Sequence, residues 1–210
     1  EAIEVDGKYP IITGVKADGA KENYGIGEDL FIRVTFDENV TVSGVPPKLG
    51  LNNDAEAIYQ RTDNGSELVF KYQVAEAADG SRNITGLTVD EWIPDPNGST
   101  TVKDDFGNDF NEPSSFSYTL KNSDTTPANI NIDAQKPHVV ASGYSVDLAP
   151  VEQNNKYKKD DSIDIKVKFN EILILSGTGA PRLVLNNDKR ANHIRTDVEN
   201  GVSVLVFRYT

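Results

Sequence analysis

The stretch "IRVTFDENVTVSG", Ile32 to Gly44, returns 133 positions later as "IKVKFNEILILSG", Ile165 to Gly177. In both versions apolar residues fall on every second position: Leu30, Ile32, Val34 and Phe36 in the first, Ile163, Ile165, Val167 and Phe169 in the second. Successive side chains of a strand point to opposite faces, so a period of two reads as a β-strand with one face buried. A repeat at fixed spacing settles the architecture before any single element does.

The match extends in both directions. "YGIGEDLFIRVTFDENVTVSG" (24–44) lies over "YKKDDSIDIKVKFNEILILSG" (157–177). With Thr178 inserted, "PKLGLNND" (47–54) lies over "PRLVLNND" (181–188), and "RTDNGSELVFKY" (61–72) over "RTDVENGVSVLVFRY" (195–209). "IEVDGKYP" (3–10) resembles "INIDAQKP" (130–137), 127 positions apart. Four matches in one order indicate a tandem duplication, with an insertion early in the second copy. The expected organisation is residues 1–6 as the last strand of a preceding repeat, 7–133 as repeat one and 134–210 as repeat two. The second repeat is incomplete, because Thr210 corresponds to Gln73. On this reading the chain is a processed product or a piece of something longer. The unpaired backbone of copy two would be completed by more of the same array, or by strands from a neighbouring chain.

Turn signals separate the alternating runs: Asn52-Asn53-Asp54, Asn64-Gly65, Asp79-Gly80, Asn97-Gly98 and Gly107-Asn108. Only "YQVAEAADGS" (72–81) offers a helical turn. Short strands joined by tight turns predict an all-β fold: tandem immunoglobulin-like antiparallel β-sandwiches of about seven to nine strands, the second truncated. Trp92 and Tyr118 are expected as core residues.

The recurring pattern Y-x-x-G-x-x-L-x-I-x-V-x-F-x-E-x-V-x-V-x-G-x-P-x-L-x-L, followed by L-V-F-x-Y, D-D-F-G-N and I-N-I-D-x-x-x-P, resembles the bacterial immunoglobulin-like repeats of giant surface proteins. These include biofilm-associated (Bap-type) adhesins and S-layer-associated proteins. The resemblance covers nearly all of copy one and all of copy two that is present. It departs at Asp160, where copy one has Gly27, and at Pro46-Pro47, which lengthens a strand break. It implies a stalk-like extracellular role at a cell surface or cell wall.

Composition narrows the function further. Among 210 residues there is no cysteine, so neither disulfides nor thiol chemistry contribute. No run of about 18 apolar residues exists to cross a membrane as a helix. The net charge of −12 repels nucleic acid and anionic lipid, so neither nucleic-acid binding nor membrane insertion is expected.

Catalytic residue types are sparse. The only histidines are His138 and His193, and His193 stands where copy one has Tyr59. There is no G-x-S-x-G elbow and no phosphate loop. A glycosidase needs one carboxyl in a dry pocket beside a second, whereas the acids here fall in turns. The chain therefore reads as a non-enzyme. The same acids could hold calcium, which takes six to eight hard oxygens. One candidate is "DDFGNDFNE" (104–112) with Asp104, Asp105 and Asp109, against the alternative of a plain hairpin turn. The other is the junction between repeats. There Asp133 is expected near Asn170 and Glu171, with Glu22, Glu28, Asp29 and Asp79 at the adjoining end of copy one. By translation, Asp6 is expected near Asp37 and Glu38. The alternative is that Asp133 ends a strand and Pro137 stiffens the link unaided.

Three functions compete. The first is a stiff, non-catalytic adhesion or spacer module whose partners are neighbouring repeats. The second is a subunit of a fibre or surface layer, completed by neighbouring subunits. The third is a module for surface glycans, for which Trp92, Phe106, Phe110 and Phe116 are the clustered aromatics. Four N-x-S/T triplets, at Asn39, Asn64, Asn83 and Asn97, are common in Asn- and Thr-rich strands and carry no weight by themselves.

Overall fold

A computed structural model describes residues 3–19, 21–121, 129–147, 157–158 and 160–210. The chain divides into two compact units, Glu1–Lys136 and Pro137–Thr210. Every regular element among the described residues is a strand.

Unit one contains β1 (Ile12–Asp18), β2 (Asn23–Gly25), β3 (Asp29–Phe36), β4 (Thr41–Ser43), β5 (Lys48–Leu51), β6 (Glu56–Asp63) and β7 (Glu67–Gln73). It continues with β8 (Ile84–Thr85), β9 (Thr88–Ile93), β10 (Thr101–Lys103), β11 (Tyr118–Thr119) and β12 (Asn131–Asp133). The main sheet has the order β1-β3-β7-β6-β5-β9-β11, and curls so that its inner face closes on itself. Two small sheets, β10-β4 and β2-β12-β8, cover the rest. The twelve strands exceed the seven to nine expected because several are two- or three-residue pairings. One of these, β12 beside β2, is parallel, which the all-antiparallel expectation missed.

The alternation in the opening stretch sets the core. Leu30, Ile32, Val34 and Phe36 of β3 are buried, as are Leu68, Phe70 and Tyr72 of β7 and Leu49 and Leu51 of β5. Val89 and Trp92 of β9 lie in the same core, with Leu120, Ile130 and Ile132. Trp92 sits edge-on to Phe70, Phe110 and Phe116 at 5.9, 5.2 and 6.2 Å between ring centroids. Residues 72–81 form no helix: β7 runs to Gln73, and the turn at Asp79-Gly80 is closed by the Gly80 N–H donating to the Ala77 carbonyl. Val74, buried, continues the two-residue pattern where a helical face was conceivable.

Unit two contains β13 (Val139–Asp147), β14 (Ile163–Phe169), β15 (Arg182–Val184), β16 (Arg190–Glu199) and β17 (Val202–Tyr209). Its sheet order, β13-β14-β17-β16-β15, repeats β1-β3-β7-β6-β5 strand for strand. Details recur as well. The register slips between Tyr59 and Arg61 in one copy and between His193 and Arg195 in the other. Asn64-Gly65 and Asn200-Gly201 both turn with positive φ, the backbone that Asn-Gly favours in hairpins. Asp160 keeps the left-handed conformation of Gly27, φ 76° against 84°. Aspartate is among the few residues that tolerate it. The insertion early in copy two includes residues 148–156, which lie outside the described residues.

The differences follow from pairing. β4 is a strand because β10 bonds to it, Val102 opposite Val42. Its counterpart, Ile174–Ser176, has no such partner among the described residues and is irregular. Ile172, Ile174 and Leu175 are exposed there. The core of unit two is correspondingly small, built on Val167, Ala191, Leu205 and Phe207. Ile3–Asp6, expected as a strand, joins no sheet; residues 1 and 2 lie outside the described residues. A strand needs a hydrogen-bonded neighbour, and the segment has no strand partner among the described residues.

Paired glycines measure this difference. A Cβ on Gly44 (φ 77°) would lie 1.8 Å from the Ser99 carbonyl oxygen, whereas one on Gly177 (φ 111°) meets nothing within 4 Å. Gly177→Ala should cost about 1–2 kcal/mol for the left-handed backbone alone. Gly44→Ala should cost clearly more, read from urea unfolding with Trp92 fluorescence reporting unit one and far-ultraviolet circular dichroism reporting both units.

Candidate functional site

Three acidic side chains from separate parts of unit one converge. Oxygens of Asp6, Glu38 and Asp104 all lie within 4.8 Å of one another. Asp104 is buried, and the other two are half-buried.

Each is fixed by local structure. Asp6 precedes β1, and its Oδ1 accepts from the Lys8 N–H at 3.0 Å. Glu38 lies in the turn after β3. Its neighbour Asp37 is committed elsewhere, because Oδ1 accepts from the Ile11 N–H at 2.9 Å. Asp104 follows β10 and folds the D-D-F-G-N loop around itself. Its Oδ1 accepts from the N–H groups of Phe106 (2.9 Å) and Asn108 (2.8 Å), and its Oδ2 from Asn108 Nδ2 at 2.7 Å. Gly107, at φ 91°, permits the tight return. Asn108 Nδ2 also reaches the Asp6 carbonyl at 3.5 Å, which ties the loop to the incoming chain.

The electrostatics of the three differ. Burial opposes ionisation of Asp104, but its donors outweigh burial and hold the carboxyl below the usual range. Glu38 is pushed up, first by desolvation and then by the charges of Asp104, Asp6 and Asp37; Lys8 offsets part of this. The cluster therefore leaves negative charge uncompensated at Glu38. Two oxygens on opposite sides of a calcium ion stand about 4.8 Å apart at bond lengths near 2.4 Å. The three carboxylates are close enough to share one such ion.

The two places marked in the sequence thus become one. Asp104 was read with Asp105 and Asp109, but the structure separates the three. Asp105 accepts from Asn39 Nδ2 at 3.4 Å, and Asp109 pairs with Lys103 at 2.8 Å and is exposed. Asp6 lies beside Glu38, and Asp37 is held by the Ile11 N–H as an anchor for the chain. The convergence follows from β10 pairing with β4. With Lys103 opposite Thr41, the next residues, Asp104 and Asp105, run alongside Val40 and Asn39. No local pattern in the sequence announces that pairing.

The second junction repeats part of this arrangement within each unit. Asp133 Oδ1 accepts from the Gln135 N–H at 3.1 Å, as Asp6 does from Lys8. Asn170 takes the place of Asp37: its Oδ1 accepts from the His138 N–H at 2.8 Å, and its own N–H donates to the His138 carbonyl at 3.1 Å. Glu171 Oε1 accepts from Asn170 Nδ2 at 3.3 Å. Asp133 belongs to unit one, Asn170 and Glu171 to unit two. A counterpart of Asp104 is not among the 210 residues. Within unit one, Glu28 pairs with Lys21, Asp29 with Lys71, and Asp79 closes its own turn onto the Ser81 N–H.

The remaining candidates sort by packing. His193 Nε2 shares a hydrogen bond with Thr196 Oγ1 at 2.9 Å, as Tyr59 OH does with Thr62 Oγ1 at 2.8 Å. Its ring stands edge-on to Phe207, as Tyr59 does to Phe70. Histidine here repeats a packing role. Of the four aromatics considered for glycans, Trp92 and Phe116 are buried and Phe110 packs on the core; only Phe106 is exposed.

Because Glu38 is pushed up, the folded state holds its proton more tightly than the unfolded chain does. Its contribution to stability therefore falls as pH rises from the ordinary carboxylate range through the raised pKa, and stays low above it. Glu38→Gln should raise the unfolding midpoint at pH 7 in EDTA, and the gain should vanish as the pH is lowered below that window. Melts of both proteins across pH read this directly. No protein-family model, curated protein or solved structure matches the chain.

Proposed function

We propose that the chain is a non-catalytic structural module: tandem immunoglobulin-like repeats that space or present an adhesive part of a long bacterial surface protein. The single observation that carries this reading is the recurrence of one five-strand sheet, with the same bulge and the same Asn-Gly hairpin, in consecutive units. Units of this kind add length while each relies largely on its own core. The acidic, cysteine-free composition suits an exposed surface outside the cell.

A hard divalent cation, calcium by oxygen chemistry, belongs to the same proposal. At Asp6, Glu38 and Asp104 it would offset the burial and the neighbouring negative charges that raise Glu38, and it would tie the chain entering unit one to the β10 loop. A second reading, a fibre or surface-layer subunit completed by a neighbour, is favoured by the exposed Ile174 in the irregular stretch after β14 and the exposed Val184 on the edge strand β15.

Calcium should raise the unfolding midpoint of unit one, and EGTA should reverse the change. A site filled to a hundred times its Kd would add about 2.7 kcal/mol. Glu38→Gln should lose most of that response while remaining folded. An unfolding midpoint indifferent to calcium and EGTA would remove the cation from the proposal.

A further inference from the structure

The chain holds three Asn-Gly dipeptides: Asn64-Gly65, Asn97-Gly98 and Asn200-Gly201. All three asparagines are exposed. Such a dipeptide can convert without an enzyme, because glycine, lacking a side chain, leaves its backbone nitrogen open to approach the asparagine side-chain carbonyl. That approach requires the turn to rotate out of its native backbone, so the contacts that hold each turn set the rate. Asn64 and Asn200 start from the same conformation, both at φ 52°, followed by Gly65 at 78° and Gly201 at 79°. Their restraints differ. In unit one the chain after β3 packs on the tip itself: the Val40 N–H donates to the Gly65 carbonyl at 2.8 Å, and the Phe36 N–H to the Ser66 carbonyl at 2.9 Å. Asn64 Nδ2 donates to Glu67 Oε2 at 2.9 Å, and a Cβ on Gly65 would lie 2.4 Å from Asn39 Oδ1. At Asn97-Gly98 the attacking nitrogen is itself engaged, since the Gly98 N–H donates to the Asp95 carbonyl at 2.9 Å. Asn97 Nδ2 also donates to Asp95 Oδ1 at 3.3 Å.

The β16–β17 hairpin is longer than its counterpart. β6 and β7 end on the pair Asp63–Glu67, whereas beyond the equivalent pair, Asp197–Val204, Val198 faces Ser203 and Glu199 faces Val202. The extra pairs carry the tip about 7 Å further along the strands. The chain after β14 therefore packs short of the tip, on Ser203: the Ser203 N–H donates to the Glu171 carbonyl at 2.9 Å, and the Leu173 N–H donates to Ser203 Oγ at 2.8 Å. Among the described residues nothing bonds to the Asn200 side chain, and a Cβ on Gly201 would meet nothing within 4 Å. We infer that Asn200 is a site of spontaneous modification, converting to a mixture of aspartate and isoaspartate well ahead of Asn64 and Asn97. The Gly201 nitrogen gives up its proton to solvent base and attacks Asn200 Cγ. The Cγ–Nδ2 bond breaks, the nitrogen leaves as ammonia, and a cyclic imide closes. Water then adds to either imide carbonyl. Ring opening gives aspartate, or isoaspartate with the main chain routed through the side chain. Each conversion adds a negative charge beside Glu199, and the iso form lengthens the turn by one carbon, which disrupts the Asn-Gly hairpin geometry. The inference is independent of the spacer, fibre and calcium readings.

The test follows the unaltered chain in mildly alkaline buffer, by peptide mapping with mass spectrometry and chromatographic separation of the aspartyl and isoaspartyl products. In the folded protein Asn200 should be lost several-fold faster than Asn64 and Asn97. In urea concentrated enough to unfold both units the three rates should converge, because all share the Asn-Gly pair. Equal rates in the folded protein, or faster loss at Asn64 or Asn97, would overturn the inference. Retention of the same order in urea would overturn it as well, since the local sequence rather than the hairpin would then set the rates. Gly201→Ala, measured in urea so that folding plays no part, should slow the loss of Asn200 several-fold, because the added methyl crowds the attacking nitrogen. An unchanged rate there would rule out attack by the residue 201 nitrogen, and the assigned step with it.

Discussion

The central constraint is the pairing of β3 with β7, whose inward side chains, Leu30, Ile32 and Val34 against Leu68, Phe70 and Tyr72, form one apolar layer. A single sheet can shield only one side of that layer. The other side must be covered by a second set of strands, because exposed apolar surface and unpaired backbone are both unfavourable. In unit one β9, β11 and the short strands provide the cover, and Trp92 fills the centre between Phe70, Phe110 and Phe116. Nothing else in the unit would hold its shape without that closure.

The two copies act as a comparison within one molecule. With nearly the same residues, Thr41–Ser43 is a strand and Ile174–Ser176 is not; Tyr24 is buried and Tyr157 is partly bare. The local sequence is fit for a strand in each case, since Thr41 and Val42 in one copy and Ile174 in the other are β-branched. What differs is the partner strand. Propensity permits a strand, and a hydrogen-bonded neighbour creates it.

The same logic places the acids. Asp6, Glu38 and Asp104 are far apart in sequence, and each sits in an unremarkable turn. They become neighbours because the antiparallel pairings of β1 with β3 and of β10 with β4 return three chain segments to one end of unit one. Their mutual repulsion is tolerated because Asp104 is satisfied by its own loop and Asp37 is occupied with the Ile11 N–H, which leaves Glu38 to carry the strain. Asp105 and Asp109, which looked equivalent to Asp104 in the sequence, point to other partners.

Much was legible in the residues alone. Alternation gave the strands and their buried faces, and the Asn52-Asn53-Asp54 and Asn64-Gly65 turns gave hairpins, because these features depend on spacing along the chain and on local backbone preference. Tertiary structure alone decided three things: that β12 runs parallel to β2, that Asp104 rather than Asp105 or Asp109 joins Asp6 and Glu38, and that Phe116 is interior. These depend on which distant strands meet and in what register. That choice is made by the closure of the whole apolar layer, and no short stretch of sequence carries it.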